Sequence, residues 1–78
     1  MICPFADWRP LPEATSQARI TPRVVIFHTA VGTLRGVEQF FKTGTSLESH
    51  LMVGGPSDGA DLDGALWQWM DLEHRADA

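Results

Sequence analysis

The run R-V-V-I-F-H-T at residues 23–29 constrains the fold more than any other stretch of the chain. A continuous apolar run of this length suits a strand covered on both faces. Alternation sets Val24, Ile26 and His28 on one face and Val25 and Phe27 on the other. The run closes on an imidazole. His28 is either a core histidine with a satisfied hydrogen bond or a ligand or base held at the mouth of a cleft.

The rest of the chain limits what can be built around that strand. Seventy-eight residues make one small domain, which buries a modest share of its surface and is marginal without a staple. Cys3 is the one cysteine, so no internal disulfide forms, and it lacks the paired spacing of a structural zinc site. With 44% hydrophobic and 21% charged residues the composition is globular. The net charge is −4, and the 6 Lys and Arg are scattered, which argues against a nucleic-acid footprint. No apolar run approaches the ~20 residues of a membrane span. The start, MICPFADWRP, has neither a basic n-region nor an apolar h-region, so no secretion signal is expected.

Residues 1–22 hold Pro4, Pro10, Pro12 and Pro22 and read as an irregular arm, pinned to the body by Phe5 and Trp8. Residues 33–42 predict a helix with Thr33 as N-cap and a core-facing stripe of Leu34, Val37, Phe40 and Phe41. Lys42 suits its C-terminal end and Gly44 its stop, while Gly36 weakens it by ~1 kcal/mol. Residues 48–54 and 65–70 predict two strands joined by the turn-rich GGPSDGADLDG, an antiparallel hairpin. Trp67 and Trp69 share one face of the second strand. The predicted order is β-α-β-β, with no final helix over the second face of the sheet.

Few constellations carry chemistry. Asp58, Asp61 and Asp63 do not match a calcium loop: from Asp58 the twelfth position is Trp69, and from Asp61 it is Leu72. They read as a solvated loop. His28, His50 and His74 lie at intervals that match no short zinc motif. Ser49 and His50 are adjacent on a strand, so they point to opposite faces and cannot pair as nucleophile and base.

Taken together, P-R-V-V-I-F-H-T, the helix ending Q-F-F, S-L-E-S-H-L-M-V-G and the ending W-Q-W-M-D-L-E-H-R-A-D-A resemble zinc-dependent N-acetylmuramoyl-L-alanine amidases of the peptidoglycan-recognition-protein fold, many of them bacteriophage endolysins. The resemblance runs from about Pro22 to Ala78. It implies an α/β fold, a mixed β-sheet flanked by helices, incomplete in this chain. Residues 23–78 would be the N-terminal part of the amidase-like domain and residues 1–22 an arm before it.

The resemblance further implies that His28 is the first zinc ligand. The family's two later ligands are expected beyond residue 78, supplied by a missing C-terminal part or a second chain. Some members carry a catalytic tyrosine where Ser49 stands here. Others use a glutamate after the third strand, which makes Glu73 the candidate general base and Glu48 a weaker one; His74 reads as surface. The implied substrate is peptidoglycan. Zinc-activated water would cleave the amide bond between the muramic acid lactyl group and L-alanine, a carboxylate moving the proton. The protein would be cytoplasmic until released to the cell wall, and this chain alone inactive or poorly active. Two rivals stand beside this: a peptidoglycan-binding module that has lost the metal, or a truncated remnant, and an unrelated small α/β scaffold in which His28 is core.

Overall fold

The computed structural model describes residues 1–43 and 47–77. In chain order the elements are β1 (Asp7–Trp8), α1 (Leu34–Lys42), β2 (Leu51–Val53), one turn of 3₁₀ helix at Pro56–Asp58, and β3 (Leu66–Gln68). This is a small mixed α/β arrangement, with a three-stranded sheet in the order β1-β3-β2.

The hairpin forms as its sequence predicts, though each strand is shorter. Met52 lies opposite Trp67, flanked by the pairs Leu51–Gln68 and Val53–Leu66. The loop between them is held shut by Gly54 N–H donating to Ala65 O (2.8 Å) and Gly64 N–H to Gly54 O (3.0 Å). Gly54 has to be glycine for space: a Cβ there would sit 2.1 Å from the Leu62 carbonyl oxygen. The loop is not simply solvated. Asp58 accepts from the backbone N–H groups of Leu34 (2.5 Å) and Gly55 (2.9 Å), so its carboxylate closes the N-terminus of α1. A negative charge is favoured there by the helix dipole.

Helix α1 starts where expected. Thr33 Oγ1 accepts from Gly36 N–H at 3.1 Å, the predicted cap. Its inward stripe differs by one residue from expectation. Leu34 and Glu38 are buried and Phe41 half-buried, at spacings of four and three, while Phe40 faces out. A glutamate takes the place the apolar pattern reserved for phenylalanine.

The arm over residues 1–22 is not wholly irregular, which corrects the expectation. Asp7–Trp8 pairs in parallel with β3, and Arg9 N–H and Leu11 N–H go on to donate to Gln68 O and Trp69 O. The donors alternate with Pro10 and Pro12, which have none to offer. Proline is tolerated on an edge strand where its nitrogen faces away from the ladder. Leu11 and Ala14 join Leu34, Trp67, Trp69 and Met70 in the core. Trp8 packs on this core, but Phe5 does not pin the arm; it is 85% exposed.

The C-terminal stretch also closes on the body. Residues 71–77 run back along the arm, with Arg19 bridged to His74 and Glu48 N–H donating to Asp77 O. His74 is therefore buried, not a surface residue, and its Nδ1 donates to Gln17 O (2.7 Å).

The largest departure concerns residues 23–29. They form no strand of the sheet. Residues 21–30 are all exposed, and none of their backbone groups makes a hydrogen bond among the described residues. Val24, Val25, Ile26 and Phe27 are between 74% and 91% exposed. The physical reason lies in the sheet. Both edges of β3 are already occupied, one by β1 and the other by β2, so the run finds no central slot.

Candidate functional site

The exposed run forms one wall of an open groove of about 1420 Å³. Leu51, Met52 and Val53 of β2 and Val37 and Phe41 of α1 also line it, as do His28, Ser49, His50 and Arg75. The lining is largely aliphatic and aromatic with a few polar groups, the usual make-up of a ligand cleft.

His28 sits on this groove, exposed, at the end of the unpaired run. The reading of His28 as a core histidine is overturned. His50 lines the same groove, half-buried. Its Nε2 lies 2.6 Å from the His74 carbonyl oxygen. A carbonyl only accepts, so Nε2 carries the proton and Nδ1 is left as the acceptor. By the same logic His74 carries its proton on Nδ1. Ser49 Oγ donates to Leu51 O (3.5 Å), not to His50. The two residues precede β2 and both line the groove, so opposite strand faces are not what keeps them apart.

The two candidate carboxylates lie elsewhere. Glu73, 45% exposed, does not line the groove. It accepts from the Met1 ammonium (3.0 Å) and is 3.5 Å from an Arg19 guanidinium nitrogen. Asp71 takes the same ammonium, which holds its carboxyl below the usual range and raises the amine. Glu48 is buried and accepts from Gln17 Nε2 (3.1 Å) and Asp77 N–H (3.0 Å), a strap between arm and tail.

A catalytic zinc needs three convergent protein donors and an open position. Among the described residues no three His, Cys, Asp or Glu side chains converge on such a point. His50 and His74 each commit one ring nitrogen to a carbonyl. The donors present do not by themselves fit the metal.

The best-built polar cluster has no place in the sequence reading. Glu38 accepts two bonds from Arg9, at 2.7 and 2.8 Å, and one from Trp69 Nε1 at 2.8 Å. The Arg9 hydrogen bonds dominate in holding its carboxyl down at about 2, against the opposing cost of burial. The Arg9 guanidinium also lies 3.9 Å from the Trp67 ring centroid, a cation–π contact. Gln68, buried between the two tryptophans in sequence, donates to Met1 O and Met70 O and accepts from Cys3 N–H. No buried polar side-chain atom is left unpaired among the described residues. One signal for this cluster was available: Glu38 lies four residues after Leu34 and three before Phe41, on the buried side of α1. No family model matches the chain, and no curated protein and no solved structure matches it either.

Proposed function

We propose that this chain is the N-terminal part of a peptidoglycan amidase domain, acting on the bond between N-acetylmuramic acid and L-alanine, of the kind found in phage endolysins. The observation that carries the reading is the position of His28. It ends an apolar run and stands on the wall of a large groove instead of in the core. The sequence resemblance of residues 22–78 supplies the chemistry. In this reading His28 is one metal ligand, the others come from outside these 78 residues, and the chain alone does not hydrolyse. Glu73 acts as general base only if its contacts with Met1 and Arg19 give way.

The test joins the chain to the sequence encoded downstream of Ala78 and assays release of stem peptide from purified cell wall. The longer protein should bind one zinc and cleave, and His28→Ala should remove both properties. Cleavage by the 78-residue chain, or full activity in the His28→Ala protein, sinks the reading.

A second reading is a binding module without hydrolysis. It is favoured by the missing ligand set and by Arg23, Ser49, His50 and Arg75 on the groove wall. Cosedimentation of the chain with insoluble cell wall, without peptide release even in the longer protein, would favour it.

A further inference from the structure

We infer that the unpaired run at residues 23–28 is a self-association strand, and that two copies of the chain pair through it to form a closed dimer. The inference concerns the 78-residue chain by itself and does not rest on the hydrolase reading.

Surface area gives the first argument. A folded monomer of 8.6 kDa is expected to expose about 4,700 Å². This chain exposes 5243 Å², about 550 Å² more than that expectation. Val24, Val25, Ile26, Phe27 and Val31 are all at least 74% exposed and form one continuous stretch of the surplus. Covering ~550 Å² on each of two copies buries ~1,100 Å², past the ~1,000 Å² that a specific interface needs.

Hydrogen bonding gives the second. The run's backbone is unpaired among the described residues. Leu51–Val53 line the same groove, and the outer edge of β2 has no strand neighbour among the described residues. The groove is therefore bounded by one strand edge and one unpaired apolar run, each with donors and acceptors to offer. Such edges are templates for a further strand.

The third argument selects the occupant. A single copy presents both halves of a complementary pair: an apolar run with an unpaired backbone, and an apolar groove walled by that run and β2. Two copies related by a two-fold axis each insert the run into the other's groove, and the same contacts repeat on both sides. Such an isologous arrangement closes on itself and stops at two. Residues 24–27 carry no charged group, and the charged side chains lining the groove are Arg23, Asp58 and Arg75.

The test uses the 78-residue chain. Sedimentation velocity and light scattering from about 1 to 200 μM should show conversion from monomer mass to twice that mass. Ile26→Pro removes a donor from the run, and Phe27→Asp places a carboxylate in the interface. Each should raise the dimer dissociation constant at least about ten-fold. Their folding is checked by tryptophan fluorescence and far-UV circular dichroism, because Trp67 and Trp69 report on a core the run does not touch. Val53→Pro, on the free edge of β2, should weaken the dimer too. Three results would overturn the inference: a monomer throughout, a dimer that folded Ile26→Pro and Phe27→Asp chains retain, or a mass that climbs past two. The last would mean open-ended strand addition.

Discussion

Residues 24–27 and residues 67–70 are both short apolar runs of strand-forming side chains, and they end in opposite environments. Trp67, Gln68, Trp69 and Met70 are all buried, with a partner strand on each side of β3. Val24, Val25, Ile26 and Phe27 are the more uniformly apolar of the two and are almost fully exposed. Hydropathy does not separate them. What separates them is hydrogen bonding and side-chain partnership. The tryptophan run contains Gln68, whose amide is satisfied by the backbone of residues 1, 3 and 70. Trp69 is fixed by Glu38 and stands edge-on to Phe41 at 5.3 Å between centroids. Polar groups with specific partners fix which strand occupies the centre. A purely apolar run with no slot in the ladder has nothing to hold it.

The contrast is sharpest at Trp69. Trp69→Ala should cost about 4 kcal/mol, a large fraction of the ~4–12 kcal/mol total for a domain this small. Urea unfolding followed by circular dichroism measures it. A loss below about 1 kcal/mol would mean that the tryptophan run is not the centre of the core.

Glu38→Gln tests the polar half of the comparison. It should cost roughly 2–3 kcal/mol at pH 7 by weakening the bonds from Arg9 and Trp69. Because the folded carboxyl is held at about 2, below its usual 4.5, its contribution is full above that usual value. It is lost as pH falls from about 4.5 towards 2. Stability curves of the parent and Glu38→Gln chains should therefore converge in that window. Curves that stay parallel would show that the ion pair contributes nothing.

Gln68→Ala should cost about 1–3 kcal/mol, since it removes the partner of Cys3 N–H and of Met70 O, while Met1 O keeps its bond from Leu72 N–H. Amide hydrogen exchange at Cys3 should rise with it. A smaller effect is expected where the chain start meets the tail. The Met1 ammonium is raised by Asp71 and Glu73, so its contribution is present below its ordinary value near 8.0 and fades as pH rises through the raised one. Acetylating the amine should flatten the pH dependence of stability on that alkaline side. Unchanged slopes would remove this contact from the account.

The smallest change is predicted for the exposed run. Val25→Thr and Phe27→Ser, measured at concentrations where the chain is monomeric, should leave unfolding free energy within about 0.5 kcal/mol of the parent. A buried Phe27 would instead cost several times that. Unfolding of either variant would break the comparison outright and return residues 23–29 to the core.

How much of this was readable in advance follows from which forces are local. Helix α1, its Thr33 cap and the β2–β3 hairpin were readable, because capping, periodicity and turn chemistry act within a few residues. The mixed sheet was readable only as a class. The pairing of Asp7–Trp8 with β3 was not, because the prolines that signal an irregular arm are also compatible with an edge strand that offers alternate donors. The burial of His74 is not legible for a similar reason: it depends on Gln17, far away in the chain. Position after β3 says nothing of the two partners that Glu73 takes from the arm, Met1 and Arg19. His28 is exposed on a groove wall, which spacing alone does not distinguish from a core position.

The sequence by itself determined the local elements, the acidic charge, the exclusion of a disulfide and an apolar run with a histidine at its end. The tertiary structure decided which runs are buried. The arm and β2 take both edges of β3, so the most strand-like stretch of the chain does not hold the central place it was expected to lead from. A strand is stabilised by its neighbours, and which neighbours it gains is not written in the strand's own residues.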